Sequence, residues 1–532
     1  MRTRLQFASN GSKKRLSVHN DWQPKLGDKV VRSPRVKLHP LRRVLGIPGL
    51  FSTAYGDVGS SIYYALGLVA LIALGATPVA LGIAGILFVF TALTYAEGTA
   101  MFPEAGGSAS FARHGLNDLT GFIAGWALMF GYIVTISISA YTIPSYLGYF
   151  WEPLKSSPIV HTGAAMGIVL LLMMINVIGV RESSRLNFSL AILDIGTQLL
   201  IIVLALLILF NPTVFWERIT SYWPSTQNLI FGVAIASIAF TGLETVSQMA
   251  EETKRPQVRA PRALALMTIV VLVIFAGISV SAFSAMTPAE LGSQWATDPV
   301  AGIAHNLSAA IVPNELTKGF SEPAHQIIVA YVLGGLRDLL PVLVALLAAT
   351  ILFIATNAGL LGISRLAFSL GRFQLIPAEL SRVHPRSKTP YVAIIVFTLI
   401  ALALQMPGFF GPDVFANLGG LYAFGSMLSF ALAHLSILAL RIRKPDVPRP
   451  FKLGWNIRIN KWDLPITTIL GLLGTTAIWI VVLIMQPYSR WVGLAWMAFG
   501  FGTFYLFRRL RRISPSQTDG GSTGRTGSQG QE

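Results

Sequence analysis

The chain has 532 residues, of which 53% are hydrophobic and only 12% are charged. An ordinary soluble domain carries about 25% charged residues, so this composition excludes a water-soluble enzyme. The formal charge of +17 would suggest a nucleic-acid partner in a soluble chain, but its distribution has another explanation here. The chain contains no cysteine, which excludes disulfides, thiolate metal sites and a cysteine nucleophile.

Long apolar stretches recur along the chain and predict an all-α polytopic membrane protein with about twelve transmembrane helices. Most of them reach the roughly 20 residues that a helix needs to cross the hydrocarbon layer. The predicted spans cover 47–70, 78–101, 119–149, 162–180, 187–210, 228–250, 263–286, 339–366, 390–408, 412–440, 464–486 and 491–510.

The basic residues predict how the spans are oriented. With a cytoplasmic N-terminus, 36 of the 41 Lys and Arg residues fall on the cytoplasmic side and four on the other, with Arg337 at a span edge. The positive-inside rule therefore predicts a multi-pass protein of the cell (inner) membrane with both termini in the cytoplasm. The same charge attracts anionic lipid, so the expected partner is the bilayer and not nucleic acid.

The chain divides into four predicted regions. Residues 1–44 form a basic arm, and 514–532 form a tail rich in Gly, Ser, Thr and Gln; both are expected to be disordered. Ten spans lie in a core, 45–455, and spans eleven and twelve lie in 456–513. A long outer loop before span eight is expected to hold a short helix around Val300–Ile311.

Two spans carry a glycine next to an acid near the middle of the membrane. Span one contains Tyr55-Gly56-Asp57-Val58-Gly59-Ser60-Ser61, and span six contains Phe240-Thr241-Gly242-Leu243-Glu244. Glycine weakens a helix, and serine can satisfy the backbone groups that a break releases. Broken spans at corresponding places in two halves predict a secondary transporter built from two inverted five-span repeats, with its site between the breaks.

The breaks and the buried acids indicate the chemistry. A broken helix offers N–H groups on one side and carbonyls on the other, which suit the two ends of an α-amino acid. An acidic side chain at this depth raises the free energy of membrane insertion by about 3 kcal/mol, so these acids are not expected to lack a function. Asp57, Glu244 and Asp194 of span five are therefore the candidates for proton coupling.

Acids near the cytoplasmic ends of spans are expected to serve other purposes. Glu97 and Glu104 border span two and are expected to be gating or solvated groups. Glu251 and Glu252 follow span six and are expected to pair with Lys254 and Arg255.

Three segments resemble the amino acid, polyamine and organocation (APC) superfamily of transporters. They are SIAFTGLETVSQMAEETKRPQVRAPRAL (237–264), TNAGLLGISRLAFSLGRFQLIPAELSRVHPRSKTP (356–390) and LRIRKPDVPRPFKL (440–453). The resemblance implies the LeuT-like five-plus-five inverted repeat with broken spans one and six, two extra helices, and transport coupled to an ion gradient.

The resemblance also implies a binding site. Backbone around Gly56–Ser61 would hold a substrate carboxylate, and carbonyls near Tyr55, Phe240 and Thr241 would hold the amine. The expected substrate-binding residues are Tyr55, Gly56, Asp57, Gly59, Ser60, Ser61, Tyr64, Tyr132, Thr135, Phe240, Thr241 and Gly242.

Span one departs from the amino acid carriers, which usually have small neutral residues where Asp57 stands. Asp57-x-Gly59-Ser60-Ser61-x-x-Tyr64 is similar to the first-span motif of the KUP-type potassium uptake branch, in which the acid and the tyrosine contact the ion. Tyr132, Thr135 and Thr241 fall where related potassium carriers place oxygen ligands, but Gly131 replaces an Asp of those carriers.

The predicted function is proton-coupled uptake of an amino acid or related small amine by alternating access, with Na⁺ left open as the coupling ion. A potassium–proton symporter is the alternative, with Asp57, Tyr64, Tyr132 and Thr241 as ligands to the ion. A channel or a membrane solute sensor is a further alternative, but neither a repeated pore motif nor a soluble output domain is visible. No cofactor, resident metal or enzymatic activity is expected, and no phosphate-binding loop motif for ATP occurs. Substrate identity, direction of flux and oligomeric state stay open.

Overall fold

The computed structural model describes residues 43–179, 184–312, 323–385, 387, 389–411, 413–459 and 462–510. The predicted N-terminal arm, apart from its last two residues, and the C-terminal tail lie outside the described residues.

The first half of the chain contains spans one to five and three short helices. Span one comprises Ile47–Val58 and Ile62–Ala73, joined by a 3-10 turn at Gly59–Ser61. The remaining helices are the 3-10 turn Leu74–Ala76, span two Thr77–Met101, Ser108–Gly115, span three Asp118–Leu147, Pro153–Ser156, span four Pro158–Ile178, span five Ser184–Ile208 and Pro212–Ser221.

The second half contains spans six to twelve and a small hairpin. Span six comprises Thr226–Ala236, the 3-10 turn Ser237–Phe240, Thr245–Gln248 and the 3-10 turn Ala250–Glu252. The remaining elements are span seven Pro256–Ala285, Pro288–Ser293, Pro299–Ala310, span eight Pro323–Arg372, span nine Tyr391–Gln405 with the 3-10 turn Met406–Phe409, span ten Val414–Arg443, strands β1 Asn456–Ile459 and β2 Trp462–Pro465, span eleven Ile466–Met485 and span twelve Pro487–Leu510.

Helices long and apolar enough to cross a membrane number ten among the described residues. One of them, Ile47–Met101, has 55 residues and contains both span one and span two. Leu74 interrupts it with a φ of +44°. The last helix, Pro487–Leu510, lies outside this set. When spans one and two are counted separately and the last helix is added, every predicted span corresponds to a helix.

Two local features differ from the sequence prediction. Span eight begins at Pro323 and not near residue 339, so the loop before it is shorter than expected. The expected short helix in that loop is present as Pro299–Ala310. Before span eleven, β1 and β2 form an antiparallel hairpin in which Asn456 pairs with Pro465. The sequence analysis did not predict this hairpin.

Spans five positions apart in the chain order pack against each other. Span two packs on span seven, span three packs on span eight, and the second half of span one packs on the first half of span six. This pairing of counterparts is what two repeats related by an approximate two-fold axis produce. The breaks of spans one and six are thereby brought to the centre of the molecule.

Small residues let the central helices approach closely. A Cβ on Gly425 of span ten would lie 2.9 Å from both the Ala127 carbonyl oxygen and the Gly131 nitrogen of span three. Span twelve is held to span three by the stacked rings of Trp126 and Trp496, whose centroids are 4.6 Å apart. Each indole N–H donates to the other residue's carbonyl, at 2.9 and 3.0 Å.

A buried ion pair joins span two to span ten at the end of the molecule that carries Arg365, Arg372, Arg441 and Arg508, called here the basic end. Glu97 is fully buried and Arg441 is 3% exposed. The guanidinium donates to both carboxylate oxygens, at 2.7 and 2.6 Å, and Leu453 N–H donates to the same carboxylate at 2.9 Å. Glu97 is thus buried in an ion pair, so the expectation of a solvated acid was wrong, while a gating role stays a prediction.

Arg441→Met is expected to lower the free energy of unfolding by up to about 3–5 kcal/mol, because the buried Glu97 carboxylate loses both guanidinium hydrogen bonds and keeps only Arg449 Nε, 3.7 Å away, as a counter-charge. Thermal unfolding in detergent checks this, with Arg443→Met at the neighbouring exposed arginine as the control. The double variant Glu97→Gln/Arg441→Met should recover much of the loss, since it carries no unpaired charge. Equal melting temperatures for Arg441→Met and the parent would contradict the assignment.

The loop after span seven covers the opposite end of span one. A Cβ on Gly67 would lie 2.1 Å from the Ala296 carbonyl oxygen, so the two backbones are in direct contact. Lys155 Nζ lies 2.7 Å from Asp298 Oδ2 and 4.2 Å from the Trp295 ring centroid. Burial raises the pKa of Asp298 from its usual 3.8 to about 6, although Lys155 partly opposes this shift.

The raised pKa predicts that acid favours docking of this loop. Undocking would expose Asp298 and return its pKa towards about 3.9, so the docked state binds the proton more tightly. Because the native chain lacks cysteine, Ala304→Cys on the buried face of Pro299–Ala310 reports docking by its alkylation rate. The rate, relative to that at exposed Ser293→Cys, should fall as the outer pH drops through about 6.

Asp298→Asn in the Ala304→Cys background should abolish this pH dependence. Relative alkylation that accelerates on acidification would show that the Lys155–Asp298 attraction outweighs the desolvation of the carboxylate, and would contradict the prediction.

Candidate functional site

The helix of span six unwinds next to Asp57 of span one. Thr241 is extended, with φ −86° and ψ 160°, and Gly242 has a φ of +104°. A Cβ on Gly242 would lie 2.8 Å from Asp57 Cγ. Glycine is therefore required at this position both by the left-handed backbone and by the closeness of span one.

Two carboxyl groups flank Gly242. Asp57 Oδ2 accepts a hydrogen bond from Thr245 Oγ1 at 2.6 Å, whereas its Oδ1 is buried and has no partner among the described residues. Glu244 Oε2 accepts the Gly242 N–H at 3.0 Å. Both acids are 2% exposed. The break thus brings together the two acids that the sequence singled out.

Span one is interrupted less severely than span six. Its backbone stays right-handed through the 3-10 turn, and the Gly59 N–H donates to the Tyr55 carbonyl. Ser60 Oγ donates to the Asp57 carbonyl at 2.8 Å, and the hydroxyls of Ser61 and Tyr64 share a hydrogen bond of 3.0 Å. Span one is thus tightened at the predicted break, while span six is unwound.

The glycines of span one serve close packing. A Cβ on Gly56 would lie 2.8 Å from the Ile354 side chain of span eight, and one on Gly59 would lie 2.7 Å from the Tyr55 ring. The Gly56 contact holds span one against span eight, whereas the Gly59 contact makes room for the Tyr55 ring within span one.

Buried tyrosines from three spans surround the two carboxyls. Tyr132 of span three interacts electrostatically with both acids, as does Tyr422 of span ten, and Tyr95 of span two interacts with Glu244. The Tyr132 hydroxyl forms no hydrogen bond with the described residues. The sequence analysis did not select Tyr95 or Tyr422, because neither lies near a glycine–acid pattern.

The other predicted site residues contribute in different ways. The side chain of Thr135 donates to the Gly131 carbonyl at 3.0 Å, and that of Thr241 donates to the Ile238 carbonyl at 2.8 Å. Phe240 packs its ring between those of Phe88 and Phe275. Only the backbone of Phe240 is therefore left to contact a ligand at the break.

Asp194 forms a second buried carboxyl centre, on span five. It accepts hydrogen bonds from the hydroxyls of Tyr55 and Tyr63, at 2.8 and 2.5 Å, and from Gln198 Nε2 at 2.7 Å. Tyr55 lies before the 3-10 turn of span one and Tyr63 after it. Asp194 is thus tied to both halves of span one, on a face other than that of Asp57.

Acids and arginines close the basic end between spans six and eight. Arg365 Nε lies 2.8 Å from Glu252 Oε1, and Arg372 Nη1 lies 3.0 Å from Glu251 Oε1. Glu104 accepts from His114 at 2.8 Å and lies 3.4 Å from Arg372. The expectation that Glu251 and Glu252 pair with Lys254 and Arg255 was wrong, because span eight supplies the arginines.

Residues 45–506 match the family model described as amino acid permease. This chain belongs to the amino acid permease family. The match confirms the APC resemblance and the fold class, whereas the likeness of span one to the KUP-type branch stays a prediction. It also identifies the protein as a transporter and not an enzyme.

Characterised relatives of the permease differ in what they carry. The branched-chain amino acid permease of Bacillus subtilis is 28% identical over 432 residues, which cover 77% of this chain and 84% of the relative. The methylthioribose transporter of the same species is 24% identical over 499 residues, covering 90% and 96%. The vacuolar cationic amino acid transporter 4 of Arabidopsis thaliana is 26% identical over 424 residues, covering 77% and 65%.

A metal site of the usual kind is not evident in the permease. The described residues contain no group of three or more His, Asp or Glu side chains that could hold a metal ion. The oxygen atoms near the break include those of Asp57, Tyr132, Glu244, Thr245 and the backbone of the unwound segment.

Gly242→Ala is expected to reduce transport at least about tenfold, because the added Cβ would collide with Asp57 and the left-handed backbone would be strained. Counterflow into liposomes checks this, with Gly163→Ala as the control, since a Cβ there meets nothing within 4 Å. Unchanged counterflow by Gly242→Ala would show that the Asp57–Gly242 contact is not needed for transport.

Proposed function

We propose that this permease is a proton-coupled secondary transporter that takes up an amino acid or related small amine by alternating access. The observation that carries the proposal is the unwound segment at Thr241–Gly242 lying against the buried Asp57, whose Oδ1 has no partner among the described residues. A buried acceptor without a partner is costly, so a ligand that donates to it is favoured.

The break supplies acceptors for an amine. The Phe240 and Thr241 carbonyls receive no backbone hydrogen bond from the described residues, and they lie at the carboxyl end of the first half of span six. Carbonyl ends of helices carry partial negative charge. Together with Asp57 they favour an ammonium group.

The amino acid substrate is supported by two of the relatives named above, although the methylthioribose transporter shows that the family also carries other solutes. A substrate carboxylate would bind the backbone of Gly56–Ser61. Since the Gly59 N–H is used within the helix, binding there would require the 3-10 turn to open.

Proton coupling is assigned to Glu244 and Asp194, with Asp57 as a third candidate. A membrane carboxyl without a basic partner carries a proton or binds a cation. Asp194 is held by hydroxyls on both halves of span one, so a change in that span alters the hydrogen bonds of the carboxyl. Alternating access would thus change proton binding at Asp194.

The proposed orientation places the basic end in the cytoplasm of the cell, following the positive-inside rule. Substrate would then enter past the Lys155–Asp298 pair and leave past the ion pairs of Glu251 and Glu252.

A potassium–proton symporter is the second candidate function. It is favoured by the Asp57 Oδ1 and Tyr132 hydroxyl, two oxygen atoms at the break without partners among the described residues. Gly131 supplies no carboxylate where related potassium carriers have one. Rubidium uptake by the parent that is abolished in Asp57→Asn would favour this function.

Glu244→Gln and Asp194→Asn are expected to reduce uptake driven by an inward proton gradient by at least about tenfold. Each change removes a group that can exchange a proton while keeping a similar shape. Exchange of labelled for unlabelled substrate without a gradient should be retained better than gradient-driven uptake. The measurement uses liposomes and a mixture of labelled amino acids and amines, with a protonophore arm and a sodium-gradient arm.

Glu379→Gln serves as the matched control, because this glutamate lies exposed in the loop after span eight. Uptake that keeps its pH dependence in both variants would remove these acids from the coupling mechanism. Uptake driven only by the sodium gradient would assign coupling to Na⁺.

A further inference from the structure

The residues that meet at the two breaks carry more negative than positive charge. Asp57, Tyr132, Gly242, Glu244 and Thr245 are together called here the carboxyl chamber. Its two acids lie on either side of one glycine, and the five residues include no basic side chain. An ionised carboxylate inside a membrane requires a counter-charge, so a proton or a bound cation has to supply it.

Basic residues elsewhere do not provide this counter-charge. Among the described residues, Arg441 is the one Lys or Arg classed as fully buried, and it is paired with Glu97 at the basic end. The charged side chain that acts on Glu244 is Asp57, another acid.

Three hydrogen-bond donors around the chamber are already used, whereas the Tyr132 hydroxyl has no partner among the described residues. The Gly242 N–H donates to Glu244, and the Thr245 hydroxyl donates to Asp57. In span one the Gly59 N–H donates to the Tyr55 carbonyl. A carboxylate can only accept hydrogen bonds, so these groups offer nothing to the carboxylate of a substrate.

Acceptors, in contrast, are available. Asp57 Oδ1 is buried without a partner among the described residues, and the carbonyls of Phe240 and Thr241 face no backbone donor. An ammonium group has three donors and no acceptor, so it matches this set. Glu244 accepts the Gly242 N–H, so this donor of the unwound segment is not open to the carboxylate of an amino acid.

We propose that the carboxyl chamber binds the primary ammonium group of an organic amine that has no α-carboxylate. The proposal rests on the proposed function and narrows its substrate class from amino acids and amines to amines. Glu244 acts as a built-in replacement for the missing substrate carboxylate, which makes it the residue that determines specificity.

Matched pairs of ligands test the proposal, since each pair differs only in the carboxylate. The pairs are leucine and 3-methylbutylamine, lysine and cadaverine, and arginine and agmatine. Binding to the purified full chain is measured as a ligand-dependent rise in melting temperature at constant pH and ionic strength. Counterflow of labelled amine into liposomes gives the transport readout, corrected with protein-free liposomes for diffusion of the neutral amine.

At least one amine should bind about tenfold or more tightly than its amino acid, because the amino acid brings a carboxylate next to two acids that already use the Gly242 N–H and the Thr245 hydroxyl. Glu244→Ala should reverse or abolish this preference, since it removes one acid and frees the Gly242 N–H. Glu244→Gln keeps an oxygen on that N–H, so it should weaken amine binding without improving amino acid binding. This difference between the two variants separates a specificity role from a merely structural one.

The remaining outcomes overturn the proposal in distinguishable ways. Amino acids that bind as well as or better than their amines would overturn the narrowed class and leave the proposed function intact. Rubidium counterflow without binding of any organic ligand would overturn both and favour the potassium alternative. If Glu244→Ala does not fold, equal affinities of amine and amino acid for the parent still overturn the proposal.

Discussion

The contact between Asp57 and Gly242 is the constraint on which the rest of the site depends. A side chain at position 242 would overlap the Asp57 carboxyl, and the left-handed backbone there prevents span six from continuing as a helix. The break therefore lies where the two repeats meet. It places the negative end of a half-helix next to a buried carboxyl, so local backbone geometry sets the charge preference of the whole site.

Asp194 connects this site to the shape of span one. Its carboxylate is bound by Tyr55 before the 3-10 turn and by Tyr63 after it, while Asp57 lies between the two tyrosines in sequence. A ligand that alters span one at Asp57 cannot leave both tyrosine hydrogen bonds unchanged. Two carboxyl centres on different faces of one helix can thus respond to each other without direct contact.

Much of the fold was predictable because apolar length and the spacing of glycine and acid are local signals. The same pattern was ambiguous about geometry: Gly242 unwinds span six, but Gly56 and Gly59 serve packing and leave span one helical. Contacts between residues far apart in the sequence leave no such local pattern. Glu97 and Arg441 lie 344 residues apart, and Tyr95 is brought to the site only by the packing of span two. Sequence reasoning therefore identified the acids but not the groups that surround them.

The ion pairs of the molecule differ in how deeply they are buried. Glu97 and Arg441 are buried together, and breaking such a pair costs about 3–5 kcal/mol, so it belongs to the scaffold. The Glu252–Arg365 pair is about 20% exposed on each side, and Arg372 is 35% exposed. Exposed pairs contribute about 0–1 kcal/mol each. They join span six to span eight far more weakly than the Glu97–Arg441 pair joins span two to span ten.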